Sequence, residues 1–227
     1  MEKVNSTKHG TQMSEIPLDK QLAAKGFSYL LQFFPDYDYH KLADGIDPAR
    51  LDYRRLDNLT GHQQRCFAVY WALKGASHGG IGVDMGCGEV IHPCCLGIDK
   101  YQGDAHPNYP SPTKANYRPH IVLRADKPLP FTDSCFDFLI SLHSLEHMAD
   151  TVWTLKEWIR IVKPGGILAV VMPDAKYGPT MDEDHKAEYS AKEFKEQVLN
   201  SLNDIVEIFS YNTFNNFFSF DCVLIKN

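Results

Sequence analysis

Short apolar runs separated by glycines and charged residues dominate the chain from Gly80 onward. Five of these runs predict buried strands, at residues 81–85, 95–99, 120–124, 136–141 and 166–172. Two longer stretches, 149–162 and 191–202, have apolar residues at helical spacing. Because strands alternate with helices, the pattern predicts a mainly parallel sheet that is covered by helices on both faces.

Two further β-rich runs, 205–211 and 217–226, lie close together at the end of the chain. Such a short link joins antiparallel neighbours, because a parallel pair needs a crossover of about a dozen residues or more. We therefore expect an α/β fold with a seven-stranded, mostly parallel sheet and an antiparallel terminal hairpin on its edge.

The residues before this sheet divide into two parts. Residues 1–19 are polar and rich in Ser, Thr and Lys, which predicts a flexible leader. Residues 20–34 and 63–74 have helical spacing, so 20–74 is expected to form a helical cap in front of a core over 75–227. A cap of this kind either packs on the core or closes over a substrate as a lid, and the pattern is typical of both.

Composition and charge narrow the class of protein. The 227 residues include 44% hydrophobic and 23% charged positions, as in ordinary globular proteins. A net charge of −6 argues against a chain that coats nucleic acid. No apolar stretch reaches the roughly 18 residues of a membrane span, and no apolar signal region is seen. The six cysteines form no C-x-x-C pair. We expect a cytoplasmic protein with reduced thiols.

The most informative segment is the turn after the first predicted strand, VDMGCG at 83–88. Gly86 and Gly88 allow a tight turn whose backbone can approach a ligand closely. A dinucleotide-binding turn would have its third glycine where Ile91 stands, and the carboxylate of Asp84 would repel a pyrophosphate. That carboxylate suits a cation such as S-adenosyl-L-methionine, although a purely structural turn also fits the pattern.

Two more acids follow the next two predicted strands. Asp99 ends the second strand, where a carboxylate can accept hydrogen bonds from both hydroxyls of a ribose. Asp126 follows the third strand, at a place suited to an adenine amino group. An N-cap role for Asp99 and a solvated loop position for Asp126 are the structural alternatives. Because the carboxyl ends of parallel strands share one crevice, the three acids together predict a nucleoside site.

The chain resembles the class I S-adenosylmethionine-dependent methyltransferases over residues 81–174. The resemblance rests on VDMGCG at 83–88, GID at 97–99, RAD at 124–126, LPFTDSCFDFLISLHSLEHM at 129–148 and LKEWIRIVKPGGILAVVMPD at 155–174. It implies the seven-stranded fold and S-adenosyl-L-methionine as the cofactor. One departure is the link between Asp84 and Asp99, which contains Pro93 and is too short for the family's usual helix.

The resemblance also implies roles for individual residues. Those implied to surround the amino-acid end of the cofactor are Asp84, Gly86, Cys87 and Gly88. Asp99 would hold the ribose, and Asp126 would lie at the adenine region. Ser141, Leu142 and His143, at the end of the fourth strand, would line the crevice for methyl transfer.

A hydroxyl acceptor would benefit from a general base near its proton. The candidates are His143, His147, Asp174 and His185. His143 is the first choice, because it directly follows the fourth strand. His147 belongs to the LEH turn and Asp174 follows the fifth strand. His185 lies in the loop 181–186, whose charged residues are also typical of a solvated surface.

We assign no metal ligand from the sequence. His92, Cys94 and Cys95 lie close together in the short link, but no second pair stands at metal-binding spacing. Buried thiols beside a strand are therefore the better interpretation. A carboxylate–metal site in the loop 181–186 is an alternative.

Two motifs that are absent after the fourth predicted strand narrow the class of methyl acceptor. The chain has SLHS at 141–144, where nucleobase amine methyltransferases have an Asn/Asp-Pro-Pro-Tyr/Phe turn and cytosine-type enzymes a Pro-Cys pair. We therefore expect methyl transfer to a small molecule, at an oxygen, with nucleic acid disfavoured and the oligomeric state open. The alternatives are a methyltransferase on a glycan, peptide or RNA, a NAD-dependent oxidoreductase, and a catalytically inactive binding module.

Overall fold

The chain forms a seven-stranded sheet in a computed structural model, which describes residues 67–68, 71–72, 74–76, 80–88, 91–92, 94–102, 119–177, 184–213 and 219–227. The strands are β1 (Gly82–Met85), β2 (Cys95–Asp99), β3 (Ile121–Val122), β4 (Phe136–Leu142), β5 (Val162–Pro173), β6 (Val206–Thr213) and β7 (Ser219–Lys226). Their order is β3-β2-β1-β4-β5-β7-β6. The first five are parallel, and β7 is antiparallel to β5 and β6. The predicted α/β fold with an antiparallel terminal hairpin is confirmed.

Helices cover both faces of this sheet, as predicted. The core on one face joins strand residues to two helices and includes Met85, Leu139, Trp158, Val170 and Phe194. The core on the other face includes the helical residues Phe67, Ala68, Trp71 and Ala72, packed with Phe138, Ile140 and Val171. The end of the predicted segment 20–74 therefore packs on the sheet. The predicted leader 1–19 and helix 20–34 lie outside the described residues.

The strands that lead to the predicted ligand edge are buried on both faces. Every residue of β1 and β2 is buried, which explains why their apolar runs show no alternation. Gly82 in β1 lies against the Phe138 ring of β4, and a Cβ atom on Gly82 would collide with that ring. This close packing holds β1 directly beside β4, so the carboxyl ends of both strands open at the same edge.

Helix α1 spans Thr151–Ile161 and begins later than the predicted 149. The Asp150 carboxylate accepts a hydrogen bond from the Trp153 backbone N–H at 2.9 Å, so Asp150 is the N-cap of the helix. On the buried side, Trp158 Nε1 donates to the Ala125 carbonyl at 3.1 Å. The helix therefore anchors the loop that follows β3.

Two strands differ in length from the prediction. β3 is shorter than the predicted 120–124, because its only described neighbour, β2, ends at Asp99, which pairs with Val122. β5 starts before the predicted 166, because the chain becomes extended directly after α1. The pairing of β5 with β4 shifts register in this added part. Gly165, with a φ of +76°, supplies the left-handed backbone that this irregularity needs.

The helix before the terminal hairpin keeps its predicted extent but changes form along its length. Helix α2 consists of α-helical Ala191–Glu193, π-helical Phe194–Val198 and 3₁₀-helical Leu199–Leu202. A capping box sets its start, since Ser190 Oγ accepts from the Glu193 N–H and the Glu193 carboxylate accepts from the Ser190 N–H. None of the helices in the described ranges has the length and apolar character of a membrane span.

We expect Asp150→Ala to lower the free energy of unfolding by about 1 kcal/mol, because it removes the N-cap of α1. Asp150→Ser retains a side-chain oxygen that can accept from the Trp153 N–H, so it should keep most of this stability. Chemical denaturation of the three proteins measures the difference. Equal stability of the wild type and the alanine variant would show that the cap does not contribute.

Candidate functional site

A cavity of about 330 Å³ opens at the carboxyl ends of β1, β2 and β4. Its wall contains the turn after β1, residues at and just after the end of β4, and three acids: Asp84 and Asp99 near the ends of β1 and β2, and Asp126 in the loop after β3. This is the edge at which open α/β sheets bind ligands. The predicted crevice is therefore present as a cavity.

The turn after β1 presents bare backbone to this cavity. Gly86 and Gly88 both have left-handed backbone, with φ of +71° and +58°. The N–H groups of Gly86 and Cys87 donate to the Ile98 carbonyl at 2.8 and 3.1 Å, which ties the turn to β2. A Cβ atom on Gly86 would collide with the Ser144 hydroxyl, so only glycine fits there.

Asp99 links this turn to the end of β2. Its Oδ2 atom accepts from the Gly88 N–H at 2.9 Å, and its Oδ1 atom accepts from the Tyr101 N–H at 2.9 Å. Asp99 is buried but lines the cavity. A carboxylate oxygen has two lone-pair sites, so each oxygen can accept one more hydrogen bond from a ligand.

Asp84 is paired with His92, a residue that the sequence does not single out for this site. Asp84 Oδ2 lies 2.7 Å from His92 Nδ1 and accepts from the His92 backbone N–H at 2.9 Å. Asp84 is 1% exposed and His92 3%, yet both line the cavity. His92 Nε2 is buried and has no hydrogen-bond partner among the described residues. The short link before β2 thus contributes an imidazole to the cavity.

Asp126 lines the cavity and is already paired with Arg124. The guanidinium donates to both carboxylate oxygens, from Nε to Oδ1 at 2.8 Å and from Nη2 to Oδ2 at 2.6 Å. These hydrogen bonds hold the pKa of the Asp126 carboxyl below its usual range. Asp126 is therefore ionised near neutral pH. Lys100 and Tyr101 also line the cavity near the end of β2, with Lys100 Nζ 4.7 Å from the Tyr101 ring centre.

The three residues predicted at the end of β4 take different positions. Leu142 and His143 line the cavity. Ser141 is buried, and its hydroxyl donates to the Met85 carbonyl at 3.2 Å. The structure therefore places Ser141 in the contact between β4 and β1 and not in the cavity wall.

Three of the four base candidates converge on one buried carboxylate, Glu146. His143 Nδ1 lies 3.4 Å from Glu146 Oε1, and His185 Nε2 lies 4.0 Å from the same oxygen. His147 packs edge-on against His185, with ring centres 4.9 Å apart. The sequence does not single out Glu146, although it stands in the same LEH turn as His147.

His143 and His147 line the cavity, and each also contacts a neighbouring protein group. His143 Nε2 lies 3.3 Å from Ser219 Oγ. His143 also has a φ of +50°, which is uncommon outside glycine and brings its side chain to the site by a tight turn. His147 Nδ1 lies 3.2 Å from the Asp184 carbonyl oxygen, an acceptor, so Nδ1 is the protonated nitrogen.

Asp174 follows β5 as predicted but is not part of the cavity wall. Its Oδ1 atom accepts from the backbone N–H groups of Lys176 and Ala191, at 3.0 and 3.3 Å. The carboxylate therefore holds the end of β5 against the start of α2. This contact gives Asp174 a structural role.

The cysteine that lines the cavity is not a reactive thiolate. Burial and the nearby Asp84 charge raise the pKa of the Cys87 thiol above its ordinary value. Burial likewise raises the pKa of the Cys95 thiol. Both groups remain protonated at neutral pH, so neither supplies a nucleophile.

Comparison with known proteins identifies a family for the segment that forms this site. Residues 83–170 match a family model described as a methyltransferase domain. The structure resembles a protein of Pyrococcus horikoshii at 17% identity, over 78% of this chain and 99% of that chain, with a TM-score of 0.50. It also resembles a candidate S-adenosylmethionine-dependent methyltransferase of Listeria monocytogenes at 11% identity, over 72% and 98% of the two chains, with a TM-score of 0.50. The search of curated proteins found no match.

The solved structures share the fold, and the family match includes the glycine turn and the acids after the first three strands. The predicted resemblance is confirmed. Residues 83–170 match the methyltransferase-domain model, and the sheet has the fold of these solved structures.

Proposed function

We propose that this methyltransferase uses S-adenosyl-L-methionine to methylate a small molecule at an oxygen atom. The observation that carries the proposal is the cavity in which a bare glycine turn meets the carboxylates of Asp84, Asp99 and Asp126. Carboxylates beside uncovered backbone suit a cationic nucleoside and repel a pyrophosphate. This arrangement disfavours the NAD-dependent alternative.

The residues of the cavity fit this cofactor. Asp99 retains one lone pair on each oxygen for the two ribose hydroxyls. Asp126 likewise retains lone pairs for an adenine amino group while it is paired with Arg124. The buried Nε2 atom of His92 lacks a partner among the described residues, and a polar group at the amino-acid end would satisfy it. When bound, the cofactor supplies an electrophilic methyl group on a sulfonium.

A general base for a hydroxyl acceptor is proposed at His143. The Glu146 carboxylate, 3.4 Å from Nδ1, favours a proton on that nitrogen, so Nε2 carries the basic lone pair. The Ser219 hydroxyl, 3.3 Å from Nε2, can donate to this lone pair and would turn aside when the acceptor binds. His185, which lies 4.0 Å from the same Glu146 oxygen, and His147, which packs against His185, are the secondary candidates.

The size of the cavity and the charge of the chain support a small acceptor. A volume of about 330 Å³ lies within the range of roughly 300–1,000 Å³ that is typical of small-molecule pockets. The net charge of −6 does not favour RNA. The five described cysteines are free thiols, which is consistent with a cytoplasmic enzyme.

We expect the wild type to bind S-adenosylhomocysteine and not NAD in calorimetric titrations. Asp99→Ala should weaken this binding by about 10- to 100-fold, because it removes charge-assisted hydrogen bonds to the ribose. Asp99→Asn preserves the shape of the side chain. Its affinity for S-adenosylhomocysteine should lie between those of the wild type and Asp99→Ala. Asp204→Ala, at an exposed position outside the cavity, serves as the matched control and should bind like the wild type. Unchanged binding by Asp99→Ala would refute the ribose assignment.

We expect radiolabelled methyl groups from S-adenosylmethionine to enter the small-molecule fraction of a cell extract, as oxygen-linked methyl groups. The experiment separates small molecules, glycans, peptides and RNA after incubation with the wild-type enzyme. Label in one of the macromolecular fractions would replace the proposed acceptor class. An extract without any label, together with normal cofactor binding, would favour an inactive binding module.

With the acceptor from this screen, His143→Gln should lower kcat by about 10²- to 10⁴-fold, the usual contribution of a general base. Its affinity for S-adenosylhomocysteine should change by less than about threefold, because the nucleoside acids are untouched. His120→Asn is the matched control, since the amide oxygen can still accept from the Gly97 N–H that His120 Nδ1 now contacts. Wild-type turnover by His143→Gln would remove His143 as the base.

A further inference from the structure

We propose that Glu146, His147 and His185 bind one divalent transition-metal ion, of the class of Zn²⁺, at the edge of the cavity. One carboxylate oxygen and one nitrogen from each imidazole lie within 4.8 Å of one another. Two imidazoles and a carboxylate are a donor set that Zn²⁺ and its neighbours in the first transition row prefer. The sequence assigns no metal ligand, although a carboxylate–metal site in the loop 181–186, which contains His185, is left open there.

The spacing of these donors is close to that of a bound site. Ligands of a tetrahedral ion with bonds of about 2.1 Å lie about 3.4 Å apart. His185 Nε2 and Glu146 Oε1 are 4.0 Å apart. Side-chain rotations that move these atoms by about 1 Å would bring both within bonding distance of one ion. The same gap is too long for a hydrogen bond, so no direct bond between these two atoms competes with an ion.

Glu146 is poorly compensated without a cation. Its side chain is 1% exposed, and its Oε2 atom has no hydrogen-bond partner among the described residues. Its Oε1 atom has imidazole nitrogens at 3.4 and 4.0 Å, which are long for charge-assisted contacts. A buried carboxylate needs close partners, because its desolvation is costly. An ion between Glu146 and the two imidazoles would supply that compensation.

His147 is held in the tautomer that a metal ligand requires. Its Nδ1 atom donates to the Asp184 carbonyl at 3.2 Å, so Nε2 is left with the lone pair. Ligating histidines commonly donate their other nitrogen to a carbonyl or carboxylate in this way. The Asp184 carbonyl belongs to the residue just before His185, so the contact ties the His147 ring to the backbone beside His185.

The segment that carries His185 is fixed to Glu146 through the backbone. The N–H groups of Lys186 and Ala187 both donate to the Glu146 carbonyl, at 2.8 and 3.0 Å. The site is therefore built from two segments distant in sequence, and the positions of both are set before any ion binds.

The position of the site indicates what the ion would do. His147 and Asp184 line the cavity, so an ion held by His147 would have an open coordination position toward the ligand. A divalent ion there would bind an acceptor oxygen and lower the pKa of its hydroxyl. This role rests on the proposed function, whereas the binding of the ion does not.

Cobalt titration of the full chain, without an affinity tag and after removal of metal by chelation, tests the site. We expect one equivalent of Co²⁺ to bind, with the visible d–d absorption of a nitrogen- and oxygen-ligated ion. Glu146→Gln and His185→Gln should each weaken binding more than about 100-fold, because changes to outer-shell residues alone cost about 10- to 100-fold. Glu196→Gln, at an exposed carboxylate, and His120→Asn are matched controls and should bind Co²⁺ like the wild type.

Three results would overturn the proposal: no stoichiometric binding by the wild type, wild-type affinity in both ligand variants, or a strong near-ultraviolet sulfur-to-cobalt band. Thermal unfolding with and without Zn²⁺ guards against misfolded variants, since only the wild type and controls should gain stability from the ion. Titration of the same metal-free protein with S-adenosylhomocysteine tests the cofactor proposal separately. Cobalt binding without nucleoside binding would leave the metal site standing and reject the proposed function.

Discussion

The Asp99 carboxylate is the contact on which the cofactor edge of this fold depends. It accepts the N–H groups of Gly88 and Tyr101, one on each oxygen, and so joins the turn after β1 to the chain leaving β2. The Ile98 carbonyl accepts two further N–H groups of the same turn. A ligand therefore meets acceptors and bare backbone that are already in position, which lowers the ordering cost of binding. Gly86 completes the arrangement, because the Ser144 hydroxyl occupies the space that a side chain would need.

The described part of the link between β1 and β2 contains a side-chain pair of Asp84 and His92. His92 donates through its backbone N–H to the Asp84 carboxylate, and its ring nitrogen Nδ1 lies 2.7 Å from the same oxygen. The Asp84 carboxylate thus has an imidazole in contact with it inside the cavity. We therefore propose that recognition at this end of the cofactor uses His92 together with the glycine turn.

Much of the fold and part of the site could be predicted from the sequence. Buried parallel strands leave unbroken apolar runs, and their carboxyl ends meet at one edge, so Asp84, Asp99 and Asp126 could be placed near one another. Their partners could not be predicted. His92 reaches Asp84 through a loop conformation that periodicity does not encode, and Arg124 pairs with Asp126 in a local contact two residues apart.

The contacts of the remaining site residues could not be predicted from the sequence either. Ser141 and Asp174 stand at the expected strand ends, but Ser141 bonds to the Met85 carbonyl and Asp174 accepts from the Ala191 N–H, and only the folded chain brings these distant groups near. Glu146 lies near three histidines, and the segment that carries His185 is held there because the N–H groups of residues 186 and 187 donate to the Glu146 carbonyl. No periodicity in the sequence encodes a contact between segments so far apart.

A crystal structure of the protein with S-adenosylhomocysteine tests the central claim most directly. The account predicts that both ribose hydroxyls lie within hydrogen-bonding distance of Asp99 and that the amino-acid end of the ligand lies against Gly86 and His92. A nucleoside bound elsewhere, or a turn that closes over this cavity and leaves it empty, would contradict the account.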